Sequence, residues 1–470
     1  MKKIKFLIGF FLVTLFFNSC SEDFLNEPAP TDTVTAATIF ATRAGVEAHI
    51  AGMLRLSRAQ YTATDTGGLN SIYFARSVKG NDVIMSNNWF TFDYEQDNRE
   101  PNYRRVAFTW NFCYYMIYQA NGLINGLAAS DLSEIDKAEL SAQALAIRGF
   151  YYFQLAMEFQ DTYMVGRSKP SLPIYTEIST EGKPMSTLEE VYNLILSDLT
   201  TARDLASESR TNKSYINKNV INGMLSRVYM VMENWSAAEA AANAAYQGYP
   251  LSGSLYRNGF NDLEGNPEWI WGMPQSLDQS NYYWGWPAAG TDHYTLSYAA
   301  VFFNDTFVNL FSPTDVRNIF VSGAYGGDPS SWFYHISRKW TFTFDADHAI
   351  MRTAEFMLTE AECKARGGDD SGAHALLYAV QSDRDPLAVM SSNTGNDLIE
   401  EILVERRKDL YGEIGIEWFD AKRLQRGIYR DGNHRIFVDL EPNDKRFYLK
   451  IPESEIDANE FIDESVNDGR

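Results

Sequence analysis

The chain has 470 residues, 62 of them acidic and 41 basic, for a formal net charge of −21. That balance opposes binding to nucleic acid or to anionic lipid surfaces and is what keeps an ordinary surface soluble. Three cysteines exclude a disulfide framework, whereas the 14% aromatic content, with 27 Tyr and 10 Trp, is unusual.

At the N-terminus Lys2, Lys3 and Lys5 precede an apolar run from Phe6 to Phe17 broken only by Gly9 and Thr14. This is the layout of a secretory signal, and it is shorter than the ~20 residues a bilayer span needs. The run closes on "FNSC", which resembles the bacterial lipobox, where the cysteine takes a diacylglyceryl group before cleavage. Residues 1–19 then read as the leader, Cys20 as the lipidated first residue, and 20–40 as attachment and tether. Stable anchoring takes more than one acyl chain, which a diacyl or triacyl cysteine provides. The alternative is an ordinary secreted chain with an incidental Cys20. Ser21, Glu22 and Asp23 follow directly and resemble the acidic signal that sends Bacteroidetes lipoproteins to the outer face of the outer membrane.

After the mixed Pro, Thr and acidic stretch to residue 40, the pattern predicts a helix over 43–58 and a clear one over 109–128, where Phe112, Met116, Ile117 and Leu123 recur at helical spacing. In "KAELSAQALAIRGFYYFQLAMEF", Ala146, Phe150, Phe153 and Met157 lie on one face. A further helix begins after "STLEE", with Ser186 or Thr187 as cap and Glu189 or Glu190 in the first turn. Segment 221–251 holds two helical runs joined near Glu233 and Asn234, with Ala238, Ala241, Ala242 and Ala245 where helices approach closely. Leu225, Val228, Tyr229, Trp235, Ala238 and Pro250 follow the tetratricopeptide pattern, and 354–384 looks like a second copy turning at Gly367 and Gly368. The fold class predicted is therefore mostly α, about four tetratricopeptide-like helix pairs stacked to cover each other's apolar faces. Between them lies a loop-rich, partly β insertion over 247–350. Its alternating "KWTFTF" predicts a strand, and it contains six of the ten tryptophans, Trp269, Trp271, Trp284, Trp286, Trp332 and Trp340. Cys113 and Cys363 sit on apolar helical faces and read as small core residues.

In order and spacing, "CSEDFLNEPAP", "AQALAIRGFYYFQLAMEF", "INGMLSRVYMVMENW", "AEFMLTEAECKARGG", "ILVERRKDLYGEIGIEWFDAKR" and "FYLKIPESEIDAN" resemble the SusD/RagB family, the surface glycan-binding lipoproteins of Bacteroidetes. The resemblance spans essentially the whole chain. It implies one SusD-like domain over 41–470, with helix pairs in 109–251 and 354–411 and a C-terminal segment 412–470. Two positions depart from the family: "QDTYMV" replaces its Gly-Asp-x-Pro turn, and Glu417 stands where it has Arg before Trp-Phe-Asp. The implied function is cell-surface capture of an oligosaccharide and its delivery to a SusC-type TonB-dependent transporter, without catalysis or cofactor. A peptide-binding member and a protein-interaction adaptor are the alternatives on the same scaffold, and a lipid-anchored glycoside hydrolase is the alternative from another class.

A sugar ring presents C–H groups to an aromatic face and hydroxyls to polar side chains. One stacked ring removing ~100 Å² from water contributes about 2.5 kcal/mol, against roughly 4 to 15 kcal/mol for lost freedom on association. A site therefore needs two or three rings plus hydrogen bonds. "GNDVIMSNNWFTFDYE" and "NYYWGWPAAGTDHY" supply the combination, in stretches that the resemblance assigns to the binding face. The expected platforms are Trp89 with Trp284 or Trp286, alongside Tyr283, with Asn88 and Asp82 as polar partners. Glu405, Glu413, Glu417 and Asp420 are numerous enough for a glycosidase pair. They alternate with Arg406, Arg407, Lys422 and Arg423, however, which predicts ion pairs bracing the C-terminal segment. The six histidines lack ligand spacing. Asp345, Asp347 and the "GGDD" turn fall short of the six to eight oxygens of a Ca²⁺ site, so no metal is expected.

Overall fold

A computed structural model describes residues 35–58, 64–86, 89–257, 260–277, 286–295 and 297–470. Cys20 lies outside the described residues.

Helices α1 (Arg43–Leu56) and α2 (Leu69–Ser77) lead into the long α3 (Arg104–Ala128) and α4 (Glu134–Phe159). Thr42 caps α1 by accepting from the Gly45 N–H, and Ser133 caps α4 through the Asp136 N–H. Helix α3 starts five residues before the predicted 109. Its first turn exposes no apolar periodicity, and buried Arg105 is held instead by Asp93 at 3.7 Å, a partner from upstream. Helix α5 (Leu188–Leu205) opens on the expected capping box, the Thr187 hydroxyl accepting from the Glu190 N–H while the Glu190 carboxylate accepts from the Thr187 N–H.

Helices α6 (Lys218–Val231) and α7 (Trp235–Tyr246) form a hairpin capped by Asn234. Buried Ala238, Ala241, Ala242 and Ala245 let α8 (Thr353–Arg366) pack against α7. The buried Cys363 thiol sits 3.4 Å from Met230 Sδ as a core residue. The chain then turns through Gly368, whose φ of +83° suits a residue without Cβ. There follow α9 (Asp370–Arg384), α10 (Gly395–Leu410), α11 (Ile416–Arg423) and the short α12 (Glu453–Ala458). The molecule is thus mostly α, with helix neighbours α3–α4, α4–α5, α6–α7, α7–α8 and α8–α9. Among the described residues no helix is long and apolar enough to cross a membrane.

The stretch between α7 and α8 is loop-rich and carries short strands. β1 (Val83–Met85) comes from the N-terminal half; β2 (Trp269–Met273), β3 (Val301–Phe303), β4 (Phe320–Ser322), β5 (His335–Ser337) and β6 (His348–Arg352) follow in order. One antiparallel sheet runs β1-β3-β5-β4; β2 pairs β6. "KWTFTF" is not a strand. Its alternation does bury Trp340 and Phe342, but the Phe342 N–H donates to Asp292 Oδ2 (2.7 Å) and the Thr341 carbonyl accepts from the Asn261 side chain. Side chains satisfy this backbone, so no neighbouring strand is needed.

The sheet lies over an aromatic core of its own that includes Phe74, Phe90, Trp286, Phe302, Phe303 and Trp340. Beneath the insertion an ion-pair network joins the parts. Asp409 of α10 receives Arg317 (3.2 Å), Arg352 (2.7 Å) and Arg384 (2.8 Å), while Glu413 takes Lys339 (2.6 Å) and Arg352 (2.8 Å). Glu405, Asp409 and Glu413 thus take most of their cations from the insertion, β6 and α9, whereas Asp420 pairs with Arg406 (3.0 Å) and Arg423 (2.7 Å) as expected; Glu417 departs from the expected ion pairs and accepts from the backbone N–H groups of Asn81 and Asp82. Lys422 Nζ donates to the carbonyls of Gln160 and Phe447, stitching the "QDTYMV" turn to the C-terminal segment.

Candidate functional site

The two loops selected from the sequence meet because β1 and β3 pair antiparallel, Met85 opposite Val301 and Val83 opposite Phe303. Trp89 follows β1 by four residues and Tyr298 precedes β3 by three, so the pairing brings them side by side. Half-buried Trp89 lies with its ring 4.0 Å from that of Tyr298, at 56°. Behind this pair sits Trp286, its ring parallel to Tyr298 within 10° at 6.2 Å.

Beyond β3 a second group of rings adjoins Phe302. His293, Tyr325 and Trp332 lie 4.8, 5.9 and 5.2 Å from it. His293 Nε2 donates to the Val301 carbonyl (2.7 Å), leaving Nδ1 to accept from the Tyr325 hydroxyl at 2.8 Å. Burial lowers the His293 pKa, outweighing the Val301 carbonyl and Asp292, so the ring is neutral and orients Tyr325. Tyr325 is 52% and Tyr294 54% exposed, and the Arg338 guanidinium covers the Tyr294 ring at 4.3 Å. Tyr325 and Tyr294 are thus half-exposed rings, one held against buried Phe302 and the other beneath Arg338.

The expected residues separate clearly. Trp89 is half-buried beside Tyr298. Trp286 does not offer a platform: it is 0% exposed, wedged against Phe74 (4.5 Å) and Phe90 (4.9 Å), and a Cβ on Gly290 would lie 1.7 Å from its ring. Its role is to support Tyr298. Asp82 is not open to a ligand either. Buried to 3% exposure, it forms an ion pair with Arg407, whose Nε is 3.1 Å from Oδ2, and its backbone N–H donates to Glu417 (3.1 Å). Asn88, Tyr283 and Trp284 lie outside the described residues. Tyr294, Tyr298, Tyr325 and His293 were missed as site residues; the dense aromatic count of the insertion flagged their neighbourhood, but which rings surface depends on strand pairing. Buried Asp292, another acid of the second loop, is a turn residue, accepting from the Tyr294 N–H and the Thr295 hydroxyl.

A family model described as "starch-binding associating with outer membrane" matches residues 23–230, and the SusD family model matches 334–467. A SusD-like carbohydrate binding protein from Bacteroides vulgatus has the same fold, with a TM-score of 0.82, 26% identity, and coverage of 90% of this chain and 98% of its own. A SusD superfamily protein from Bacteroides thetaiotaomicron gives 0.80 at 22% identity, covering 90% and 99%. One from Bacteroides fragilis gives 0.76 at 24%, again covering 90% and 99%. Among curated protein sequences none matches the chain. The stretch between the two family matches contains Tyr294, Tyr298, Tyr325 and Trp332, so four of the surface rings stand where neither family model reaches. With both flanks matched and the architecture shared along nine-tenths of its length, the chain belongs to the SusD/RagB family.

Proposed function

We propose that this protein captures an oligosaccharide at the outer face of the outer membrane, tethered through lipidated Cys20, and passes it to a SusC-type TonB-dependent transporter without chemical change. The observation that carries the reading is the meeting of Trp89 and Tyr298, with Tyr294, Tyr325 and Trp332 on the far side of β3. Trp89 with Tyr298, and Tyr325 and Trp332 around Phe302, supply more than the single stacked ring that falls short. The family description of starch binding and the name of the Bacteroides vulgatus relative agree with it. The carboxylates that a glycosidase would need are engaged: Glu413 with Lys339 and Arg352, and Glu417 with the N–H groups of Asn81 (2.7 Å) and Asp82. The tetratricopeptide-like helices serve as scaffold.

Calorimetric titration of neutral oligosaccharides tests the proposal. Trp89→Ala is expected to weaken binding about tenfold or more, since a lost stacking face worth ~1.4 kcal/mol is a factor of ten. Unchanged affinity, or release of reducing ends that Glu413→Gln or Glu417→Gln abolishes, would defeat it.

A further inference from the structure

Helix α3 carries a second group of aromatic rings, on the helical scaffold rather than beside β1 and β3. Asn111, Tyr115 and Tyr118 are spaced by four and three residues, so they share one face, and Tyr115 and Tyr118 are 42% and 47% exposed. Isolated exposed tyrosines are common, but these two line a cleft of about 370 Å³, within the size range of ligand sites.

The cleft has rigid walls. On one side runs the coil bearing Tyr175 and Glu177. Asn121 Nδ2 donates to the carbonyls of both (3.0 and 3.3 Å), the Tyr114 hydroxyl donates to the Pro173 carbonyl (2.8 Å), and the Tyr175 N–H donates to the Tyr152 hydroxyl (2.7 Å). On the other side stands Glu455 of α12, whose carboxylate accepts from Trp110 Nε1 (3.0 Å) and Asn459 Nδ2 (2.8 Å). A wall tied by this many hydrogen bonds is formed before any ligand arrives, which lowers the ordering cost of binding.

The lining selects its ligand. Flat phenol faces favour a ring with C–H groups on one side, and Asn111, Ser179, Glu177 and Glu455 supply donors and acceptors for hydroxyls. Among the described residues two carboxylates and no Lys or Arg line the cleft; the Lys183 ammonium lies 5.4 Å from the Tyr175 ring centre but outside the lining. Uronic acids, sulfated sugars and phosphorylated ligands would therefore meet repulsion. We infer that this cleft is a second saccharide site, which takes a neutral oligosaccharide along the outer face of α3 and shares no residue with the rings around β3. The inference rests on the glycan-binding reading above and extends it to a second place on the molecule.

Neutral hexasaccharides of the malto, cello, xylo and manno series are the probes, titrated by calorimetry into the mature chain and three variants: Trp89→Ala, Tyr115→Ala/Tyr118→Ala, and all three substitutions together. Expected is residual binding by Trp89→Ala that falls at least tenfold when the tyrosines are also removed. The circular dichroism melt of the tyrosine variant should match that of the parent, and Tyr115→Phe/Tyr118→Phe should retain binding because the platforms remain. Should Trp89→Ala lose all binding while the tyrosine variant titrates like the parent, the second site is refuted and the first stands. The converse pattern keeps the second and removes the first, and no binding by the parent removes both. A tyrosine variant that keeps its saccharide affinity but no longer co-purifies with a transporter would reassign the cleft to protein docking.

Discussion

Glu417 shows how a side chain expected in an ion pair can take up a different partner. The sequence places it among cations; in the fold it reaches back to the backbone of Asn81 and Asp82, just ahead of β1 and the Trp89 loop. Burial raises its carboxyl from 4.5 to about 7, the Asp82 carboxylate adds to the rise, and Arg407 opposes it. Between those two values the folded protein holds a proton that the unfolded chain has released. Its contribution to stability is therefore present in full below pH 4.5 and is lost as the pH rises through about 7. The melting temperature of the native chain should fall more steeply across this window than that of Glu417→Gln; superimposable slopes would show that Glu417 does not titrate there. Trp286 carries the opposite lesson. A tryptophan beside a glycine and a proline in a loop looks like a ligand platform, yet its ring closes a core with Phe74 and Phe90.

Among elements, α10 has the central position. Its Asp409 is shared by arginines from β6, from α9 and from the turn that carries Arg317, all buried. Burial pushes the Asp409 carboxyl up most strongly, but the surrounding guanidiniums, Arg384 foremost among them, together hold it well below the usual range. Removing the acid would leave several guanidiniums buried without their counter-charge, so Asp409→Ala is expected to destabilise the fold by about 3–5 kcal/mol, the cost of breaking one side of a buried pair. Denaturant unfolding would measure it, and a change within about 0.5 kcal/mol, the ordinary range for a surface substitution, would mean that the network is dispensable. The helices themselves were readable because apolar spacing and capping residues are local: a cap at Ser186 or Thr187 and the joint near Glu233 and Asn234 were visible in the sequence, and the structure makes Thr187 and Asn234 the caps. The strands were not. β1, β3, β4 and β5 have three residues each, too few to show a period, and "KWTFTF", which does show one, finds its hydrogen-bond partners in side chains.

At the scale of the molecule, buried ion pairs at Asp409 and Glu413 join the helical scaffold to the aromatic insertion. If Cys20 is the attachment point, Cys20→Ala should leave the protein unlipidated and recovered with the soluble periplasmic fraction, and recovery with outer membranes would count against the anchor. The net charge of −21 gives no competing electrostatic route to an anionic membrane surface, so the fractionation is a direct reading of the lipid.

By itself the sequence determined what local patterns encode: the helix succession, the caps and turns, the export signal layout, the family resemblance, and the presence of an aromatic-rich insertion. Only the tertiary structure decided which rings face outward and which are sealed, that Asp82 answers Arg407, and that α3 forms a cleft with a coil some sixty residues away. The reason is physical. Helical periodicity and capping act over a few residues, whereas exposure is settled by strand pairs and ion pairs between segments separated by hundreds of positions, whose matching leaves no periodic trace in the chain.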